Sequence, residues 1–121
     1  MITIADAREI ILSMPEAEEI GHHGHPDFRV HNKIFATLWP AEDRAVVKID
    51  PADQTVLLKS SPKVFSSNAW SKHGWTNVHL QYVDAKLFRN LVADSWRAVA
   101  PKKLAAKYSV SSRSGGLQSA D

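Results

Sequence analysis

The sequence predicts an α+β domain, an antiparallel sheet with helices packed on one face as a two-layer sandwich. Three observations lead there. A helical apolar stripe opens the chain, a run with a period of two fills its middle, and a second helical stripe follows near its end. At 121 residues the chain has the length of one domain, enough to bury a core without disulfide or metal staples.

The elements follow in order. Ile4, Ala7, Ile11 and Met14, with Ile10 beside them, fall at helical spacing; Thr3 or Asp6 caps this helix and Pro15 stops it. In "DFRVHNKIFATLW" Phe28 and Val30 face one way and Arg29 and His31 the other, with Asn32 at a tight turn. "KIFATLW" then runs as a strand, "PAED" turns, and "RAVVKI" returns with Val47 and Ile49 opposite Val46 and Lys48, which makes an antiparallel meander. "DPADQTVLLKSSP" is a punctuated helix, with Asp50 as its cap, Pro51 at its first position and Pro62 beyond its end. "KVFSSNAWSKHG" is irregular, with room for a short edge strand. "WTNVHLQY" is a strand with Thr76, Val78 and Leu80 on one side and Trp75, Asn77 and His79 on the other. Asp84 caps the last long helix, whose apolar face is Leu87, Leu91, Val92, Trp96 and Val99; Pro101 breaks it and "KKLAAKY" adds a further turn or two. From Ser109 the Ser/Gly-rich segment reads as a flexible tail, so residues 1–108 form the domain and 109–121 the tail. The expected order is helix, three antiparallel strands, helix, one or two strands, helix.

Composition narrows the function. There are no cysteines, which removes disulfides, thiolate metal sites and cysteine nucleophiles. No stretch approaches the ~18 apolar residues of a membrane span, and the first residues lack the basic start and apolar run of a secretory signal. A cytoplasmic protein with no membrane partner is expected. The net charge of +2 is uneven: the first twenty residues hold five acids against Arg8, and the rest of the chain is basic. A basic body attracts polyanions.

Four of the six histidines, His22, His23, His25 and His31, lie within eleven residues. Neighbouring strand residues point to opposite faces, so His22 and His23 do not share one ion; His23 and His25 share a face only if the strand reaches that far, and Gly24 and Pro26 interrupt it. No paired-histidine helix motif is present. Surface or turn histidines are expected, with no metal. Serines occur in no G-x-S-x-G, no phosphate-binding glycine loop exists, and the adjacent Glu18 and Glu19 make a poor acid–base pair. No catalytic residue, no cofactor and no enzymatic activity are expected.

Four segments carry a family resemblance. "SMPEAEE" (13–19), "PDFRVHNKIFATL" (26–38), "KHGWTNVHL" (72–80) and "LVADSWRAVAPKKLAAKY" (91–108) together resemble the MmcQ/YjbR family of small bacterial proteins. The resemblance covers roughly residues 3–108. It implies a frataxin-like (CyaY-like) layered α+β fold. A DNA-binding role is attached to the family by structural analogy, and the resemblance carries no catalytic residue across.

With helices on the face of Phe28, Val30, Val47, Ile49, Val78 and Leu80, the outer sheet face carries Arg29, His31, Lys33, Lys48, Trp75, Asn77 and His79. Alternation along residues 33–39 adds Phe35, Thr37 and Trp39. Cations for phosphates and flat rings for bases make this face a candidate nucleic-acid surface. The basic residues at 97, 102, 103 and 107 form a second patch. The alternative is a protein-interaction or small-ligand-binding domain on the same face. The plainer structural reading has Trp39 and Trp75 packed in the core or under the 60–73 loop, with Arg29 in an ion pair that fixes the hairpin. Continuous positive potential across the face favours DNA; an enclosed apolar pocket favours a small ligand.

Overall fold

Each long helix begins where a side chain accepts one of the backbone N–H groups that the first turn leaves free. In the computed structural model, which describes residues 1–21 and 24–108, α1 (Ile4–Leu12) starts at a reciprocal box. Thr3 Oγ1 accepts from the Asp6 N–H, and the Asp6 carboxylate accepts from the Thr3 N–H, both at 3.0 Å. The Thr3 backbone N–H, with its hydroxyl second, holds the Asp6 carboxyl below its ordinary pKa. Asp50 caps α2 (Pro51–Ser60) through the Ala52 N–H, and Asp84 caps α3 (Ala85–Val99) through the Leu87 N–H at 2.7 Å. A short α4 (Lys102–Lys107) follows Pro101. The expected tail, 109–121, and the pair His22 and His23 lie outside the described residues.

Six strands form one antiparallel sheet: β1 (Ala17–Ile20), β2 (Asp27–Val30), β3 (Lys33–Trp39), β4 (Arg44–Lys48), β5 (Phe65–Ser66) and β6 (Trp75–His79), in the order β1-β2-β3-β4-β6-β5. Four strands, not the expected three, precede α2. The acidic stretch after α1 pairs with β2, Glu19 opposite Phe28, and forms the sheet edge. Arg8 of α1 brings its Nε to 2.7 Å from Glu19 Oε1 across that edge. His31 and Asn32 both take positive φ, 48° and 71°, as a two-residue turn between right-twisted strands requires. His31 therefore sits in the turn, its Nε2 2.7 Å from Glu16 Oε1, and not on a strand face.

A bulge corrects the alternation expected for β3. Phe28 pairs with Ala36 but Arg29 pairs with Ile34, so Phe35 is the extra residue. Phe35 and Ala36 are both buried in the core, and Ile34 takes the outer position that strict alternation gives to Phe35. A buried hydroxyl from α3 closes the gap. Ser95 Oγ accepts from the Lys48 N–H at 2.9 Å and donates to the Phe35 carbonyl at 2.6 Å, a relay just beyond the last ladder pair, Ala36 with Val47.

The core lies on the helix side of the sheet. Phe28, Leu38, Val47, Phe65 and Val78 meet Ala7 and Ile11 of α1 and Phe88, Val92 and Trp96 of α3, all buried. The apolar stripe read for the last helix holds at Leu91, Val92 and Trp96, while Leu87 and Val99 are only half-buried and Phe88 and Ala93 are further core residues. α2 reaches the same side through Leu57 and Leu58, partly buried against the core, and through one buried bond, Gln54 Nε2 to Thr76 Oγ1 at 2.8 Å. Gly74 enters β6 at φ +94° with its carbonyl accepting from the Ile49 N–H; a Cβ there meets the Ile49 carbonyl oxygen at 2.6 Å, so both backbone and space demand glycine.

Candidate nucleic-acid interface

Strand register arranges the other face in rows. Trp39, Arg44 and His79 stand side by side across β3, β4 and β6; Thr37, Val46 and Asn77 form the next row; Lys48 pairs with Trp75 beyond it. The tip of the 67–73 loop completes the arrangement. Ile34, Thr37, Trp39, Arg44, Val46, Asn68, Trp70 and Trp75 line a cavity of about 350 Å³. That volume lies at the lower end of the ~300–1,000 Å³ usual for small-ligand pockets.

Asn77 braces this cavity from beneath. It is buried, and its amide is fully spent. Oδ1 accepts from Arg44 Nη1 at 2.8 Å and Asn68 Nδ2 at 3.1 Å; Nδ2 donates to Ser66 Oγ and to the Ser67 carbonyl, both at 3.1 Å. Asn68 in turn accepts from the Trp70 N–H at 2.8 Å, and its own N–H donates to Ser71 Oγ at 2.7 Å. One network thus ties the loop to the sheet and fixes the Trp70 backbone, while the residue itself is 64% exposed. Trp39 is fixed on three sides. Its indole N–H donates to Thr37 Oγ1 at 2.9 Å, His25 stacks on it at 4.2 Å and 13°, and the Arg44 guanidinium lies 4.7 Å from its centroid. Lys48 Nζ stands 5.9 Å from the Trp75 centroid.

The seven predicted site residues divide. Trp75 lines the cavity, Lys48 lies beside Trp75, and Asn77 builds the cavity without an amide proton to spare. His79 lies further along β6 with its Nε2 2.8 Å from Ser66 Oγ. Arg29 is pinned to Asp27 by two bonds, Nε to Oδ1 at 3.0 Å and Nη2 to Oδ2 at 3.2 Å. That hydrogen bonding raises its pKa further; Arg29 does form an ion pair, but within β2 and not across the hairpin. His31 and Lys33 sit at the hairpin end, exposed and away from the cavity wall. The cations do not form one continuous positive strip: Arg29 and Arg44 each face a carboxylate, Asp27 and Glu42, while Lys33 and Lys48 have none among the described residues. Trp39 and Trp75 are half-buried under the loop, which joins the expectation of an outer-face position to that of loop cover.

Sequence reading missed Arg44 and Asn68. Arg44 was legible: it has the same parity as Val46 and Lys48 in "RAVVK". Asn68 had no signal, since its place depends on the partner 9 residues on, Asn77. Among the described residues, no three His, Asp or Glu side chains gather as a metal-binding group, and no helix is long and apolar enough to cross a membrane.

Comparison with known proteins bears on the fold and the family. A solved structure, that of Deinococcus radiodurans protein DR2400 with its DUF419 domain, superposes with a TM-score of 0.74 at 24% identity, covering 85% of this chain and 82% of that one. The likeness shows the same α+β fold. No functionally curated protein matches the chain. The YjbR family model matches residues 12–98, from the end of α1 to the last turn of α3, and the chain therefore belongs to the MmcQ/YjbR family.

Proposed function

We propose that this is a non-enzymatic nucleic-acid-binding protein of the cytoplasm that takes single strands on its outer sheet face. The observation that carries the reading is the cavity walled by Trp39, Trp70 and Trp75, with Arg44 in its lining and Lys48 Nζ 5.9 Å from the Trp75 centroid. Rings of this kind stack on unpaired bases, worth about 1–3 kcal/mol per base, and a lysine beside them meets the phosphate. Duplex bases are already stacked on one another, so single strands are the better ligand. A cysteine-free chain fits a reducing compartment.

A second reading has its own support. The cavity lining is mostly apolar and the cations around it are partly neutralised, which suits a planar small molecule. Fluorescence titration with single-stranded and duplex DNA at two salt concentrations separates the two. Single strands are expected to bind more tightly than duplex and to weaken as salt rises. Lys48→Ala should lower the salt slope by about 0.7, one phosphate contact on a single strand. Trp75→Ala should weaken binding by about 1–3 kcal/mol and leave the slope unchanged. Undetectable binding at low salt, or binding indifferent to both changes in folded variants, rejects the nucleic-acid reading and puts the small-ligand or protein-interaction domain in its place.

A further inference from the structure

Resting on that reading of the outer face, we infer that the tryptophan cavity takes one unpaired base and selects a keto-edged base (thymine, uracil or guanine) over an amino-edged one, with Arg44 as the specificity-determining residue. The argument is a count of donors and acceptors. Arg44 carries five N–H groups. Its Nε donates to Glu42 Oε1 at 2.8 Å and its Nη1 to Asn77 Oδ1 at 2.8 Å, which leaves three N–H groups with no acceptor among the described residues. The guanidinium is held in place on the Trp39 ring, and its side chain is only 16% exposed. A largely dehydrated, fixed cation in an apolar wall is a donor waiting for an oxygen.

The neighbouring polar groups lean the same way. Thr37 Oγ1 already accepts the Trp39 indole N–H, and its own O–H proton is unspent. Asn68 has its carbonyl taken by the Trp70 N–H and keeps one amide proton beyond the bond to Asn77. No carboxylate lines the cavity. The lining therefore offers donors to whatever stacks between the rings. Thymine and guanine present a carbonyl oxygen where cytosine and adenine present an amino group. An amino edge placed against Arg44 leaves N–H facing N–H, and the remaining Arg44 N–H groups without an acceptor in a poorly hydrated site. A cationic ligand is excluded by the same charge.

The test compares thymine-only with cytosine-only single strands, which match in ring size and backbone, at neutral pH and two salt concentrations. The wild type is expected to favour the thymine strand roughly tenfold, the effect of one charge-assisted hydrogen bond. Arg44→Gln replaces a group that only donates by an amide that both donates and accepts. It should bring the preference close to one. Arg44 also braces Asn77, so Thr37→Val serves as the second variant; it removes one donor together with the acceptor of the Trp39 indole N–H, so the ratio of the two affinities is read and not either affinity alone, and that ratio should fall in part. Equal affinity for both strands in the wild type overturns the selectivity and leaves the single-strand reading standing. Absence of binding to either strand at low salt overturns both. A preference that persists unchanged in both folded variants overturns the assignment to Arg44 and this cavity.

Discussion

Trp96→Ala is expected to remove about 3–5 kcal/mol of folding stability, the usual cost of truncating a buried large aromatic side chain. Against the ~5–15 kcal/mol that holds a domain of this kind together, that loss leaves little. Trp96 is fully buried, and it joins three parts of the chain. Its indole N–H donates to the Pro15 carbonyl at 3.1 Å, where the chain turns from α1 into β1. Tyr108, after α4, packs edge-on against it with centroids 5.0 Å apart, and the Tyr108 hydroxyl reaches Met14 Sδ at 3.8 Å. The alanine leaves both a cavity and a carbonyl without its donor. Urea denaturation measures the cost; a midpoint like that of the wild type would show that α3 does not pack on the sheet through this side chain.

Ser95→Ala should cost more than its size suggests. The change removes one oxygen atom, but that oxygen satisfies two backbone groups at once, the Lys48 N–H and the Phe35 carbonyl. Each buried group left without a partner costs about 1–3 kcal/mol. The loss is local as well as global, because the relay sits at the β3 bulge. Hydrogen exchange of the Lys48 amide should accelerate beyond what the fall in global stability accounts for. Unchanged stability together with unchanged Lys48 exchange would mean that the two strands pair directly and that the hydroxyl is incidental.

Ser95 also marks the boundary of what the sequence made legible. Periodicity and capping chemistry are local, so α1, α2 and α3 and the meander could be read from residues a few positions apart. Thr3, Asp50 and Asp84 each announce a helix start. The bulge at Phe35 depends on a hydroxyl 60 residues away, and nothing in "KIFATLW" signals it. Strict alternation therefore placed Phe35 on the wrong face. The edge strand β1 gives no signal in the sequence because "AEEI" is too short and too polar to alternate visibly; its partner β2 makes it a strand. At the site, alternation found Trp39, Trp75, Lys48 and Asn77 but could not tell a bracing role from a binding one. Asn77 and Arg29 have the residue types of a nucleic-acid surface, yet the Asn77 amide is fully used by Arg44, Asn68, Ser66 and Ser67, and the Arg29 charge is matched by Asp27. Only three-dimensional partners distinguish a spent donor from an available one.

The four tryptophans provide an internal control for the central claim. Trp39, Trp70 and Trp75 wall the cavity on the outer face, and Trp96 is buried on the opposite side of the sheet. The direct measurement follows the four indole N–H signals by NMR as a thymine-only single strand is added to the protein at low salt. Shifts in the signals of Trp39, Trp70 and Trp75 that saturate together, with Trp96 unmoved, are the predicted result. Saturable binding that leaves those three signals in place would contradict the account and locate the nucleic-acid contact elsewhere on the molecule.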